Sequence, residues 1–422
     1  MTRVGLFLIA VCSFAQTPRK LTLADAEAQA VRNHPRIQAA KLNAQAASEN
    51  ARQVKAANSM FVSANLTAAG ADHGTATGAG AVTTSSLFSR TAVGVTITQT
   101  LLDFGRNGSL WRSFQLRASA QDEMAGAARA EILLRVRESY FLALAMQAQM
   151  RVANETVRAR KTSLKQIQAL AASNLRSTLD QSFAELNVSE AELALSRAEN
   201  DAHAAMLYLA AAIGSGDDQV FELHEEPLPA ELESTVGALV RQALDSRPDL
   251  AASRLRIKAA QSFADSERRL AFPTLSALGA GGAYGPHDDR LRPRYAGVAL
   301  NLNIPLFNGQ INASRRREAE LRASAVAEEA RELEIRIAQD VRTAWLDARN
   351  AQQRVTLAAK VLDLATRTLK LAQARYELGL GSIVELNQAQ LSRTAGDVAA
   401  STTLYEYLTK RARLDYQTGG IL

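Results

Sequence analysis

The stretch from Gln310 to Leu378 limits the possible folds most, because it contains neither proline nor glycine and is typical of one helix. At 1.5 Å per residue such a helix is roughly 100 Å long, far longer than the helices of ordinary globular domains. Apolar residues recur in it with heptad spacing. One row consists of Val341, Ala348, Val355, Leu362, Leu369 and Tyr376, interleaved with Ala344, Ala351, Ala358, Ala365 and Ala372. The alanines let neighbouring helices approach closely.

A second apolar row lies on another side of the same helix. It consists of Leu357, Leu364, Leu371 and Leu378, again seven residues apart. A plain two-stranded coiled-coil hairpin would explain the first row but would leave these leucines exposed. Two rows therefore favour helical neighbours on two sides, as in the wall of a helical barrel. The first half of the chain has a row that matches the first one, namely Val136, Ala143, Met150, Val157, Leu164 and Ala171.

The sequence indicates two copies of one unit, because five short segments recur in the same order in both halves. The pairs are Asn33-His34-Pro35 with Ser246-Arg247-Pro248, Leu102-Asp103-Phe104-Gly105 with Leu306-Phe307-Asn308-Gly309, Val136-Arg137 with Val341-Arg342, Asn174-Leu175-Arg176-Ser177 with Gly379-Leu380-Gly381-Ser382, and Asp180 with Glu385. We therefore predict a first repeat over residues 16–213 and a second over 234–418. Residues 214–233, which contain several glycines, aspartates and prolines, are interpreted as the linker.

Each predicted repeat also contains a β-hairpin. Residues 91–101 and 295–304 alternate between aliphatic side chains and small or polar ones, which is the period of a strand with one apolar face. A weaker strand precedes each of them, at residues 61–69 and 274–283. The hairpins thus cover about residues 60–103 and 272–305, and four strands are predicted in the chain.

The first fifteen residues have the order of a secretory signal peptide. A basic start, an apolar stretch and the small-x-small sequence Ser13-Phe14-Ala15 predict a signal over residues 1–15, cleaved after Ala15. A buried N-terminal strand is the alternative. Cys12, the single cysteine, also permits a lipoprotein signal with a lipidated cysteine, which is the minor interpretation because bulky Val11 precedes it.

The sequence predicts no enzyme, no cofactor site and no metal site. Its five histidines are scattered without zinc-ligand spacing, and the glycine-rich segment 279–282 does not open a helix as a phosphate-binding loop does. The net charge of +6 is spread along the helices, apart from Arg315-Arg316-Arg317, so nucleic acid is not a predicted partner. The sequence also lacks an apolar run long enough for a transmembrane helix.

The four predicted strands are too few to close a barrel, for which about eight are the practical minimum. Open edges that face lipid would leave backbone groups unpaired, at a cost of several kcal/mol each. Assembly of three copies would supply about twelve strands, with aliphatic faces toward lipid and small polar faces toward a wet lumen. The alternative is a soluble periplasmic or secreted coiled-coil scaffold or binding protein, whose sheet is covered by its own helices.

Several segments carry a resemblance to a known family, together with the duplicated helix–hairpin–long-helix unit. They are Asn33-His34-Pro35, Arg247-Pro248-Asp249-Leu250, Leu306-Phe307-Asn308-Gly309, and Tyr376-Glu377-Leu378-Gly379-Leu380-Gly381-Ser382. In this order they resemble the TolC-type outer-membrane efflux proteins, or outer membrane factors. The resemblance implies a mainly α-helical chain with a transmembrane β part, which as a homotrimer forms a twelve-stranded β-barrel continued by a periplasmic α-helical barrel.

The resemblance also implies a function and its partners. The chain would be the outer-membrane channel subunit of a tripartite efflux pump or type I secretion system, a passive conduit located in the outer membrane and extending into the periplasm. The implied partners are further copies of the chain, outer-membrane lipid, a periplasmic adaptor protein and an inner-membrane transporter.

Two groups of candidate residues follow from the resemblance. In the family, adaptor hairpins dock at the helix-to-helix turns on a Gly-Leu-x-Ser/Thr motif. The docking-tip candidates are Gly379, Leu380, Gly381 and Ser382 in the second repeat and Leu175 and Ser177 in the first, where Asn174 replaces the usual glycine. The pore-gate candidates are Glu385 and Asp180, at positions where the family has acidic residues around a constricted pore entrance, with Gln388 where a second acid is often found.

The residues at the turn agree with this interpretation on physical grounds. Gly379 and Gly381 permit the positive φ that a reversal between antiparallel helices needs. For Glu385 and Asp180 the alternative is a purely structural role, since an acid in the first turn of a helix interacts favourably with the helix dipole. Both roles can hold together.

Overall fold

The computed structural model describes residues 19–72, 76–79, 82–86, 88–173, 177–216, 221–227, 232 and 235–421. The chain divides into two compact units. The helical unit comprises Met1–Ala39, Gly126–Arg247 and Arg336–Leu422, and the sheet unit comprises Ala40–Ala125 and Pro248–Ile335. Each unit contains chain from both halves of the sequence, so neither coincides with one of the predicted repeats.

The described residues are mostly helical. In chain order the elements are β1 (Arg19–Leu21), α1 (Leu23–Asn33), α2 (Pro35–Ala56), β2 (Phe61–Ala69), β3 (Ala76–Ala79), β4 (Val82–Ser86), β5 (Arg90–Leu102), α3 (Arg106–Ala172), α4 (Thr178–Ala212), β6 (Phe221–Leu223), α5 (Val236–Ser246), α6 (Pro248–Arg268), β7 (Thr274–His287), β8 (Arg294–Asn303), α7 (Ile311–Glu377) and α8 (Ile383–Gln417). A short 3-10 turn, Arg269–Ala271, follows α6.

The two longest helices, α3 and α7, have 67 residues each, and α7 agrees with the predicted helix to within one residue at each end. A sharp change of backbone direction precedes both helices. Phe104 and Gly105 have φ angles of 51° and 79°, and Gly309 and Gln310 have φ angles of 60° and 69°. The Asp103 carboxylate stabilises the first of these turns by accepting a hydrogen bond from the Gly105 N–H at 2.9 Å. None of the helices formed by the described residues has the length and hydropathy needed to cross a membrane.

The alanine seam of α7 is buried, as the heptad spacing predicts. Val341 and Ala348 are fully buried, and the alanines that accompany them are less than a tenth exposed, namely Ala344, Ala351, Ala358, Ala365 and Ala372. The second row differs: Leu357, Leu364, Leu371 and Leu378 are 62, 52, 67 and 73% exposed. A single copy of the chain therefore covers one apolar side of α7 and leaves the other on its surface.

Strands β2, β5, β7 and β8 form a four-stranded antiparallel sheet in that order. β2 has the predicted bounds, and the other three differ from the predicted strands by one to four residues. Among the described residues, β2 pairs only with β5 and β8 pairs only with β7, so these two are the edge strands. The outer sides of these two edge strands therefore present backbone N–H and C=O groups that have no sheet partner.

The two faces of this sheet differ in the way that the alternation predicts. The register places one exposed aliphatic set on the same face, namely Val62, Leu66, Val93, Val95, Ile97, Val298 and Leu300. On the opposite face the hydroxyl groups of Ser63 and Thr96 lie 2.7 Å apart, and the Asn65 amide donates to Thr96 Oγ1 at 2.9 Å. A sheet with this division suits an apolar medium on one side and water on the other.

The predicted number of four strands is wrong. The described residues also contain β1, which pairs with β6 in parallel, and β3, which pairs with β4 in antiparallel fashion. β6 lies inside the segment 214–233 that is predicted as a linker. Strands of three residues are too short to show an alternating pattern, which explains why the sequence does not reveal β1 and β6.

Tyr140 ties the β1–β6 pair to the core of the helical unit. Its side chain is fully buried, and its hydroxyl donates to the carbonyl oxygen of His224 at 2.7 Å and lies 3.0 Å from that of Leu21. Burial raises the pKa of Tyr140 to about 12, so the hydroxyl remains protonated and able to donate over the physiological range.

The buried seam yields a test of the packing. Ala348→Leu should lower the free energy of unfolding by about 1–3 kcal/mol, because the added side chain has no room in a fully buried position. Ala359→Leu is the matched control, since Ala359 is exposed on the same helix. Urea unfolding followed by circular dichroism measures both variants, and equal stability of the two would contradict the close packing at Ala348.

Candidate functional site

The turn between α7 and α8 contains the docking-tip candidates of the second repeat. Gly379 has a φ of 76°, as predicted. The N–H groups of Leu380 and Gly381 both donate to the carbonyl oxygen of Arg375, at 2.8 and 3.1 Å, and so close the end of α7. Ser382 then begins α8 as its N-cap, since its hydroxyl accepts the Glu385 N–H at 3.2 Å.

The expectation of positive φ at Gly381 is wrong, because Gly381 is not among the residues with positive φ. Gly381 is instead closely packed. A Cβ at this position would lie 3.3 Å from both the Arg375 Cβ and the Glu385 Oε2, which is tighter than ordinary contact. The two glycines of the turn therefore have different roles, one in backbone conformation and one in close packing.

An apolar cluster holds the turn in place. Tyr376, Ile383 and Leu386 are buried together with Ile167 and Ala184. Leu378 and Leu380 point away from this cluster and are 73% and 68% exposed. The turn thus has a fixed base and presents two leucines on its outer surface.

Glu385 lies in the first turn of α8 and forms an ion pair within its own chain. Its carboxylate lies 3.1 Å from Nε of Arg375, the residue whose carbonyl closes α7, and its side chain is 45% exposed. Arg375 also donates from Nη2 to the carbonyl oxygen of Leu380 at 3.2 Å. The guanidinium therefore connects the gate candidate to the docking-tip candidate.

Asp180 occupies the equivalent position in the first turn of α4. Ser177 is the N-cap of this helix, and its hydroxyl accepts the Asp180 N–H at 3.3 Å. The Tyr376 hydroxyl donates to Asp180 Oδ2 at 3.4 Å. Two consecutive residues of α7, Arg375 and Tyr376, thus contact the two acidic candidates.

The sequence does not single out Arg375 and Tyr376 as partners of the two acids. A signal was present for Arg375, because residues just before a helix-to-helix turn face those just after it, and Arg375 and Glu385 flank the turn in this way. Of the other candidates, Leu175 lies outside the described residues, as do Asn174, Cys12 and the predicted signal peptide 1–15.

A groove of about 940 Å³ lies beside the turn in the helical unit, between α3, α7 and α8. It is lined by Arg160, which is 6% exposed and whose Nη1 has no hydrogen-bond partner among the described residues. Burial lowers the pKa of Arg160. On the opposite wall Arg393 is paired with Asp397. Sequence reasoning missed this groove, because a lone arginine in a long helix is normally a solvent-exposed residue.

These elements have the fold of TolC-type outer-membrane channels, as the sequence predicts. The family model described as "Outer membrane efflux protein" matches residues 28–215 and 239–420. The chain therefore belongs to the outer membrane efflux protein family. Membership confirms the predicted location in the outer membrane, with an extension into the periplasm.

Two relatives from Pseudomonas aeruginosa are similar in sequence. The pyoverdine export outer membrane protein OpmQ is 26% identical over 289 residues, which cover 68% of this chain and 60% of OpmQ. The outer membrane protein OprJ is 26% identical over 318 residues, which cover 73% of this chain and 65% of OprJ. The chain thus spans less than two thirds of the length of the curated relatives that it matches.

A solved structure agrees with the fold. The outer membrane protein VceC from Vibrio cholerae has a TM-score of 0.79 to this chain at 18% sequence identity. The match covers 94% of this chain and 96% of VceC. The similarity confirms the predicted fold class, a mainly helical chain with a β part.

The turn offers a matched pair of glycine substitutions. A Cβ added at Gly379 or at Gly237 meets no atom within 4 Å, but only Gly379 has a positive φ. Gly379→Ala should therefore lower the free energy of unfolding by about 1 kcal/mol, whereas Gly237→Ala in α5 should be neutral or stabilising. Denaturant unfolding of both variants checks this, and a neutral Gly379→Ala would contradict the left-handed turn.

Proposed function

We propose that this chain is the outer-membrane channel subunit of a tripartite efflux pump or type I secretion system, and that it forms a passive conduit as a homotrimer. The observation that carries the proposal is the four-stranded sheet, which is exposed on its aliphatic face and open at both edges. Three copies joined edge to edge have twelve strands, enough to close a barrel. Closure pairs the backbone groups of β2 and β8, and it removes the cost of exposing them to lipid.

The helices support the same assembly, because three of the four helices near the tip, α4, α7 and α8, have an exposed apolar row at heptad spacing. Leu179, Leu186 and Leu193 form such a row on α4, Val384, Leu391 and Val398 form one on α8, and the four leucines from 357 to 378 form one on α7. Rows of this kind are normally covered by neighbouring helices. In the proposed trimer these neighbours are helices of the adjacent copies, and the helices together form the wall of the periplasmic conduit.

The turn between α7 and α8 is the proposed docking site for the periplasmic adaptor, which in turn contacts an inner-membrane transporter. Leu380 supports this role because it is exposed at the end of a turn whose base is held by buried Ile383 and Leu386. The neighbouring groove with buried Arg160 offers a cation to a carboxylate of the docked partner.

Glu385 and Asp180 are proposed as the gate residues of the conduit. In a trimer each contributes three carboxylates around the axis, and such rings attract cations. Within each copy, Arg375 and Tyr376 contact these carboxylates. Both acids lie at the helix ends that line the proposed entrance. We therefore expect the Arg375–Glu385 and Tyr376–Asp180 contacts to change when the pore opens.

The competing function is a soluble coiled-coil scaffold. The exposed aliphatic face argues against it, since Val298 and Leu300 are 90% and 71% exposed. An exposed patch of this kind is an aggregation hazard in water but is suited to lipid.

Two measurements test the proposed function directly. The purified chain, run on a gel without heating, should migrate as a trimer that heating converts to a monomer, and it should form discrete ion-conducting channels in planar lipid bilayers. A water-soluble monomer without conductance would instead support the scaffold.

The gate assignment has its own test. Glu385→Gln should raise the concentration of divalent cation that blocks half of the current by about tenfold, which corresponds to a loss of about 1.4 kcal/mol of cation attraction. Glu328→Gln is the control, because Glu328 lies near the start of α7, far in sequence from the turn that precedes Glu385, and is also exposed. If single-channel conductance and cation block are the same for Glu385→Gln as for the control, Glu385 is not a gate residue.

A further inference from the structure

All four strands of the sheet meet the helices at one end of the sheet unit. β2 and β7 begin there, and β5 and β8 end there, as the pairing of Leu102 with Leu275 and of Thr274 with Asn303 requires. We call this end the junction. The chain crosses it four times, through the segments between α2 and β2, between β5 and α3, between α6 and β7, and between β8 and α7.

Exposed apolar side chains surround the junction. They come from all four crossings, namely Met60, Leu101, Leu102, Phe104, Phe272, Ile304, Leu306, Phe307 and Ile311. Leu306 and Phe307 are 91% and 88% exposed, and the rings of Phe104 and Phe272 stack at 5.6 Å. A belt of this composition is typical of the boundary between hydrocarbon and water.

Basic residues adjoin this belt at each of the four crossings. They are Arg52 and Lys55 at the end of α2, Arg106 and Arg112 at the start of α3, Arg268 and Arg269 around the end of α6, and Arg315, Arg316 and Arg317 at the start of α7. Arg112 and Arg317 each come six positions after the first residue of their helix, about 9 Å along the axis. We call these residues the basic collar.

Internal ion pairs neutralise part of the basic collar but not all of it. Arg315 is paired with buried Glu267 at 2.7 Å, and Arg316 with Glu320 at 3.0 Å. Arg112 and Arg317 are exposed, and neither has an ion-pair partner among the residues that the structure describes. Positive charge therefore remains free directly beside the apolar belt.

We propose that the basic collar binds the phosphate headgroups of anionic phospholipids in the periplasmic leaflet of the outer membrane. The inference rests on the proposed function, because it requires the aliphatic sheet face to lie in that membrane and the helices to lie in the periplasm. The apolar belt then contacts the upper acyl chains, while Arg112 and Arg317 lie at headgroup level. The collar fixes the depth of the sheet in the bilayer, since moving it inward would take guanidinium groups out of contact with phosphate and water.

The test uses the full chain reconstituted in phosphatidylcholine bilayers with spin-labelled phosphatidylglycerol or phosphatidylcholine. Electron paramagnetic resonance gives the relative association constant of the two labelled lipids at the protein surface. The wild type should prefer the anionic lipid by about fivefold at low salt, the factor expected for one basic residue near an anionic surface. The double variant Arg112→Gln, Arg317→Gln should reduce this preference to near unity.

A control variant, an exchange of the buffer anion and a conductance measurement accompany this test. Arg158→Gln with Arg342→Gln removes two exposed arginines of the same long helices outside the collar and should retain the preference. Replacing chloride by inorganic phosphate at constant ionic strength should change nothing; loss of the preference in phosphate alone would assign the collar to free phosphate. Equal preference in the wild type and the collar variant would overturn the inference.

Conductance in the same bilayers reports on the proposed channel separately, because the collar variant should still conduct.

Discussion

The sheet has two open edges and one exposed aliphatic face, and a lone copy of the chain has no single environment that suits both. Backbone N–H and C=O groups on the outer sides of β2 and β8 have no sheet partner among the described residues. Water can satisfy such groups, but the aliphatic face that includes Leu66 and Val298 is unfavourable in water. Lipid suits the face but not the edges. The proposed pairing of these edges with those of further copies would satisfy both requirements.

The helices also have apolar surfaces that a single copy of the chain leaves uncovered. In α7 the alanine seam, centred on Ala348, is buried within one copy, whereas Leu357 and the leucines that follow it remain on the surface. Small residues thus serve contacts inside the chain, and large ones are left exposed, where the proposed trimer would cover them. The turn after α7 is stabilised by contacts of Arg375 and Tyr376 and by a buried apolar cluster, which suits the proposed role in docking a partner.

Sequence reasoning predicts the elements that have a long and regular period. The 67 residues of α7 and the bounds of β2 follow from patterns within one segment. The β1–β6 pair does not, because three-residue strands have no period and the two strands lie far apart in the sequence. The contacts of Arg375 with Glu385 and of Tyr376 with Asp180, and the buried state of Arg160, depend on how helices are packed, which heptad spacing alone does not specify.

Disulfide crosslinking between the edge strands shows whether further copies of the chain complete the sheet. The chain has no cysteine other than Cys12, so Asn65→Cys on β2 can be combined in turn with cysteine at Gly297, Ala299 or Asn301 on the same face of β8. We expect at least one pair, oxidised in the membrane, to give covalent dimers and trimers and no larger species, since three copies close the proposed ring. Monomers at every pair, or a ladder that continues beyond three, would contradict it.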